Sequence, residues 1–172
     1  IEQFSKREKI TKQCRYCLDS ERVGLNSWII AQGNFTYLAV PRSRSLHPLH
    51  CQIIPKAHVC SLLDCPEFEE ETWEEIRNFK KCLLQLAAEQ NRSFVFMECV
   101  PRSDDIYRHS VIECVPTPRG LFADDVRGHF LKALQESDEE WSQNRKVIDT
   151  ALKPGGLRTA LPRRHFPYFY VD

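Results

Sequence analysis

The stretch His50-Cys51-Gln52-Ile53-Ile54-Pro55-Lys56-Ala57-His58 decides the fold of this 172-residue chain. Its first half, His50–Ile54, is a short apolar run with the composition of a buried strand, and Pro55 ends it because proline brings no N–H to a sheet ladder. Upstream, Ser27–Gln32 and Phe35–Val40 are two β-rich runs flanking Gly33-Asn34, a two-residue hairpin signal. Pro41–Pro48 is a basic loop carrying Arg42 and Arg44. Downstream, Phe68, Trp73, Ile76, Phe79, Leu83, Leu86 and Ala87 recur at helical spacing, which predicts a long helix from about Pro66 to Gln90. Asp64 can cap that helix, Pro66 suits its first turn, and the acidic run Glu67–Glu75 favours the positive end of its dipole and reads as a solvated face.

Two more strands are expected at Ser93–Val100 and His109–Val115, joined by the polar, basic link Pro101–Arg108. Phe122, Val126, Phe130 and Leu134 recur every four positions and predict a second helix over Phe122–Gln135. Ser137-Asp138-Glu139-Glu140 is a capping-box sequence for a third helix to about Leu152, stopped by Gly155-Gly156. The end, Leu161–Val171, is aromatic and broken by prolines, and residues 1–12 form a charged lead-in with little core material. The pattern is α+β: an antiparallel sheet with one long helix inserted, then helical material.

Lysine plus arginine and aspartate plus glutamate balance at 24 each, so a nucleic-acid role has to come from local patches. No apolar run approaches the roughly 20 residues needed to span a bilayer. The chain begins at Ile1 and reads as a piece of a longer protein. Of its eight cysteines, Cys51, Cys99 and Cys114 sit in apolar strand-like runs, where a free thiol behaves as a small hydrophobe. A domain of this size does not need disulfide staples, which favours a reducing compartment, cytosol or nucleus.

Cys14 and Cys17 form a Cys-x-x-Cys knuckle that brings two thiolates to one side. With His58 and His109 they make a two-sulfur, two-imidazole set suited to a closed tetrahedral structural zinc site. His50 is the alternative to His58, His47 belongs to an exposed loop, and His129 and His165 read as structural or surface residues. A redox use of Cys14 and Cys17 is the competing reading, but that use favours a pair at a helix start after a strand.

The order strand–Pro–Lys–x–His, long helix, then two strands resembles the histidine-triad (HIT) fold, with Gln52–His58 matching its Ile-Ile-Pro-Lys-x-His stretch. In zinc-bearing relatives, a Cys-x-x-Cys pair, the histidine after that proline and the first histidine of the triad strand hold the metal; the resemblance maps these onto Cys14, Cys17, His58 and His109. The nucleophile position becomes Val111, whose isopropyl group has no lone pair to attack phosphorus, and the last triad position becomes Glu113. Glu113 is expected to be a structural carboxylate paired with an arginine.

A narrower match covers nearly the whole chain from Cys14. Trp73–Phe79, Cys114–Pro118, Ser137–Ser142 and Pro167–Val171 resemble the CwfJ family of Cwf-nineteen-like pre-mRNA splicing factors. The resemblance implies a HIT-like, zinc-containing domain over 13–120 after a lead-in at 1–12. Over 121–172 it implies a helical linker and the start of a second CwfJ C-terminal domain. It further implies a nuclear, non-catalytic module of late spliceosomes and intron-lariat complexes with structural Zn2+. The implied partners are spliceosomal proteins, intron-lariat or branch-region RNA and the lariat-debranching enzyme, with no membrane. A residual HIT-type phosphoesterase, nucleotide hydrolase or RNA-branch-processing activity is the alternative. Candidate RNA contacts are Arg42, Arg44, Lys56, Arg108, Arg163 and Arg164, since arginine forks bind phosphate and nearby aromatic rings stack on unpaired bases.

Overall fold

The computed structural model describes residues 2–21, 27–65, 69–102, 104–119, 123–136, 147–161 and 166–172. The described elements are α1 (Glu2–Gln13), β1 (Ile29–Gln32), β2 (Thr36–Ala39), β3 (Cys51–Pro55), α2 (Glu69–Glu89), β4 (Arg92–Val100), β5 (Ile112–Pro118), α3 (Ala123–Glu136), α4 (Leu157–Ala160) and β6 (Tyr168–Val171). Single 3₁₀ turns sit at Leu62–Asp64 and Thr150–Leu152. The strands form one antiparallel sheet in the order β1-β2-β3-β5-β4-β6. The fold is α+β, with the long helix α2 inserted between β3 and β4. No helix among the described residues is long and apolar enough to cross a membrane.

Side chains alternate across a strand, so each strand feeds two faces. One face gathers Leu38, Ile53, Phe94, Phe96, Ile112 and Cys114 against Ile76, Leu83 and Ala87 of α2. The other gathers Trp28, Tyr37, Ala39 and Ile54, with Tyr16, Leu18 and Val111 packed on them. All four residues of β2 and all five of β3 are buried, because both faces are covered there. The long helix occupies one face and leaves the other to the knuckle near the N-terminus.

The acidic run of α2 is not wholly a solvated face. Glu75 reaches the β1–β2 turn, where its carboxylate accepts hydrogen bonds from Asn34 N–H (2.7 Å), Phe35 N–H (3.0 Å), Thr36 N–H (2.8 Å) and Thr36 Oγ–H (2.9 Å). The turn therefore has three residues, Gly33–Phe35, between the strands rather than the expected two. Gly33 suits this place because a Cβ there would run into the Glu75 carboxylate. Asn91 ends α2 with a positive φ of 54°, a left-handed position that asparagine tolerates.

Several expectations change. Residues of the charged lead-in form α1, which buries Ile10. His109 does not open a strand: β5 starts at Ile112, and Ser110 N–H instead donates to Val59 O at 2.7 Å. Cys99 is exposed, since it falls on the outward side of β4. Asp64 lies in a 3₁₀ turn, while Pro66 falls outside the described residues. The capping box at 137–140 also falls outside them, and 147–149 are not helical. The aromatic tail supplies β6, which extends the sheet beside β4. It is anchored by Lys80, whose ammonium lies over Phe96 (4.9 Å) and Tyr170 (5.6 Å) and pairs with Asp172. Phe169 also meets Phe130 of α3 at 6.2 Å between ring centroids.

Burial raises the Glu75 carboxyl, but the hydrogen bonds from Phe35, Thr36 and Asn34 outweigh it and hold the group below its ordinary value of 4.5. A depressed carboxyl stabilises the fold above its unfolded-state pKa and loses that contribution as pH falls through the folded one. Glu75→Gln should therefore cost about 1–2 kcal/mol at neutral pH. Denaturant melts across pH should show this difference from wild type shrinking toward zero in acid.

Candidate metal centre

The knuckle begins where α1 ends. Cys14 N–H bonds back to Thr11 O (3.2 Å), Tyr16 N–H donates to Cys14 Sγ (3.4 Å), and Ser20 N–H bonds to Cys17 O (3.1 Å). The sheet holds this loop from below: Tyr37 Oη–H donates to Tyr16 O at 2.6 Å, and Arg42 Nη1 donates to Arg15 O at 2.6 Å. The Arg42 guanidinium also lies over the Trp28 ring, 5.2 Å from its centroid. The hydrophobic side of β2 thus carries the two thiols.

His58 follows the turn that ends β3, and His109 precedes β5. These two strands are paired neighbours, so their ends deliver both rings to one place. The rings meet edge to face with centroids 5.1 Å apart. Cys14 Sγ lies 3.4 Å from His109 Nδ1; Cys17 Sγ lies 3.3 Å from His58 Nδ1 and 3.6 Å from His109 Nδ1. All four donor atoms fall within 4.8 Å of one another, and three of the four residues are buried.

This set fits a tetrahedral ion. Bonds of about 2.3 Å to sulfur and about 2.1 Å to nitrogen at a tetrahedral angle put each sulfur about 3.6 Å from each nitrogen, matching the three separations above. Each imidazole offers Nδ1 while its other nitrogen is fixed outside the cluster: His58 Nε2 donates to Ile106 O (2.9 Å) and His109 Nε2 to Pro55 O (2.7 Å). Carbonyl partners of this kind set the tautomer that leaves Nδ1 free to ligate. The hydrogen bond from Cys17 draws the Cys14 thiol well below the usual thiol range, and bonds with His109 and His58 act the same way against burial. Cys17 is pushed up by that same shared bond and by burial.

His50 does not join the cluster. Its Nε2 is 2.8 Å from Glu113 Oε2, and its Nδ1 accepts Leu46 N–H at 3.2 Å. Glu113 also accepts Gln52 Nε2–H at 2.8 Å. The partners of this carboxylate are thus His50 and Gln52 rather than an arginine, because all three alternate onto one face of the paired strands β3 and β5. Val111 is half-buried against the Trp28–Tyr37 cluster. His47 is partly buried, its Nδ1 accepting Leu49 N–H at 3.0 Å, and His129 is exposed. All eight cysteines are free thiols.

Beside the centre lies a cavity of about 520 Å³, lined by Cys14, Arg15, Tyr16, Tyr107, Arg108, His109 and Glu113 among others. Arg108 donates from Nη2 to Cys99 O, and its Nε is buried without a hydrogen-bond partner. Arg44 is exposed and Lys56 is half-buried. Arg163, Arg164 and His165 fall outside the described residues. What the sequence reading missed here is the anchoring of the knuckle by Tyr37 and Arg42. Only the pairing of distant strands reveals it.

A family model described as "Protein similar to CwfJ C-terminal" matches residues 1–125. The chain is 39% identical over 163 residues to the human "CWF19-like protein 2", covering 94% of this chain and 17% of that protein. It is 37% identical over 137 residues to the "Pre-mRNA-splicing factor cwf19" of Schizosaccharomyces pombe, covering 80% of this chain and 20% of that protein. It is 34% identical over 172 residues to the Caenorhabditis elegans "CWF19-like protein 2 homolog", covering 100% of this chain and 35% of that protein. The chain thus spans a fifth or less of the human and fission yeast proteins.

Purified chain should carry stoichiometric zinc by elemental analysis. Cys14→Ala or His109→Ala should abolish it, while His50→Ala should leave it in place. Strong chelators should lower the thermal midpoint of the wild-type chain but not that of Cys14→Ala, because binding to a site absent from the unfolded chain is folding free energy.

Proposed function

The chain belongs to the family of proteins similar to CwfJ C-terminal, and on that premise we propose that it is a non-catalytic, zinc-stabilised module of a pre-mRNA splicing factor. In this reading it works in the nucleus, in late spliceosome and intron-lariat complexes, by docking on spliceosomal proteins and branch-region RNA. The lariat-debranching enzyme is a candidate partner. The domain is read as HIT-like over 13–120, with 121–172 leading into a second unit.

The observation that carries this reading is the placement of His109. The histidine nearest the former triad faces Cys14 and Cys17 through Nδ1, with Nε2 held by Pro55 O. A histidine so engaged has no nitrogen left to act as acid or base. Val111 supplies no nucleophile and packs on an apolar cluster. When bound, zinc would contribute fold stability rather than an open coordination position. The name of the fission yeast relative, a pre-mRNA-splicing factor, supports the splicing role, and the human relative is named as like it.

A second reading is binding without turnover. The cavity beside the centre has two cationic side chains, Arg15 and Arg108, and two phenol rings, Tyr16 and Tyr107, on its walls. This chemistry suits a phosphodiester with an unstacked base. Residual hydrolysis in the same cavity would use Glu113, whose carboxylate is already held by His50 and Gln52, or another group.

Assays with nucleotide-amine, dinucleotide-polyphosphate and branched RNA substrates should show no turnover above background. Activity that disappears in Glu113→Gln would overturn the non-catalytic reading. Crosslinking to branched RNA should fall in an Arg15→Ala, Arg108→Ala double variant; unchanged crosslinking would remove RNA from this surface.

A further inference from the structure

Four donor residues account for the metal centre, but they leave Glu98 unexplained. This glutamate of β4 is 1% exposed. A carboxylate so placed is costly unless donors surround it. Its Oε1 accepts Leu62 N–H at 3.0 Å and Ser110 Oγ–H at 2.6 Å, and its Oε2 accepts Tyr168 Oη–H at 2.5 Å. Tyr168 Oη also lies 2.8 Å from Ser61 Oγ, which in turn accepts Leu63 N–H at 3.0 Å.

The segments it ties together bear on the centre. Ser61 and Leu62 follow His58 on the loop leaving β3, and Ser110 is the residue after His109. The two loops meet directly through Ser110 N–H to Val59 O. Neither loop belongs to the strand ladder, so few bonds fix the spacing between the two imidazoles. Tyr168 comes from the far end of the chain, on β6, opposite Val100 in the β4–β6 register. It lies outside residues 1–125, which the family model covers.

We infer that Glu98 and Tyr168 are positioning residues for the metal centre: a buried carboxylate–phenol pair that locks the His58 and His109 loops at the separation an ion needs. The inference rests on the metal reading given above. Its physical basis is that the carboxylate requires every one of its donors. Loss of the Tyr168 hydroxyl removes the donor to Glu98 Oε2; among the described residues the other groups bonded to Glu98 are Leu62 and Ser110 on the two loops, so relief comes most easily by shifting those loops. The C-terminal strand then supplies part of the centre's geometry while donating no ligand.

The test uses the 172-residue chain with cobalt(II) as probe. Cobalt(II) affinity is measured by chelator competition, and amide exchange is followed in the metal-free protein. Tyr168→Phe and Glu98→Gln should each weaken cobalt(II) binding by about 10- to 100-fold, the usual cost of losing a residue that orients metal ligands. Phe169→Ala, which loosens the same strand at Phe130 without touching the Glu98 bonds, should keep wild-type affinity. Exchange at the Leu62 and Ser110 amides should quicken in metal-free Tyr168→Phe while the β2–β3 amides stay protected. Wild-type affinity or unaltered exchange in Tyr168→Phe would overturn the inference. So would a loss in Phe169→Ala as large as that in Tyr168→Phe, since strand docking in general would then explain the effect. A wild-type chain that takes up no cobalt(II) would sink the metal reading and the role assigned here together. The exchange data would still report whether the pair fixes the loops, so the two failures are told apart.

Discussion

Two thiol sulfurs and two ring nitrogens from three separate stretches of the chain have to meet within 4.8 Å of one another. That constraint shapes one whole face of this sheet. The thiols arrive on a knuckle at the end of α1, and the imidazoles arrive on loops at the adjacent ends of β3 and β5. Carbonyls at Pro55 and Ile106 hold the outer nitrogens, so the four donors point inward at distances suited to a single ion.

The sheet separates this chemistry from ordinary packing. One face is a hydrophobic layer closed by α2, built from β-branched, leucine and phenylalanine side chains. The opposite face carries Tyr37 and Trp28, whose rings are large enough to support the knuckle and whose polar or cationic neighbours fix its backbone. Polar groups that look isolated along the chain therefore find partners across strands. Glu75 closes a hairpin, Glu113 joins His50 and Gln52, and Glu98 gathers three separate segments. Each meets donors from across the sheet, which matters most for Glu98, the fully buried one of the three.

That arrangement bears on function through what it withholds. Val111 gives the site no nucleophile, and the histidine beside it faces two sulfurs. What remains next to the centre is a cavity with arginines and phenols at its walls. The proposed place in a splicing assembly and the proposed use of this cavity agree with each other, because both ask for a rigid surface.

Strong local signals were legible along the chain. The spacing from Trp73 to Ala87 marked the long helix, the apolar run before Pro55 marked β3, and the Cys-x-x-Cys pair with His58 and His109 picked out four residues that the fold brings together, because these features depend on neighbours a few residues away or on rare ligand types. The start of β5 was misplaced because Ser110 N–H bonds to Val59 O and the His109 ring to Pro55 O, contacts that no local pattern reports. The tail strand went unforeseen for the same reason, since Tyr168–Val171 becomes a strand only by pairing with β4. The sequence by itself determined which residues have the chemistry to ligate, pack and turn. Tertiary structure decided which carboxylate meets which donor and how far apart the two histidines stand, because those distances are set by strand pairing between segments many tens of residues apart.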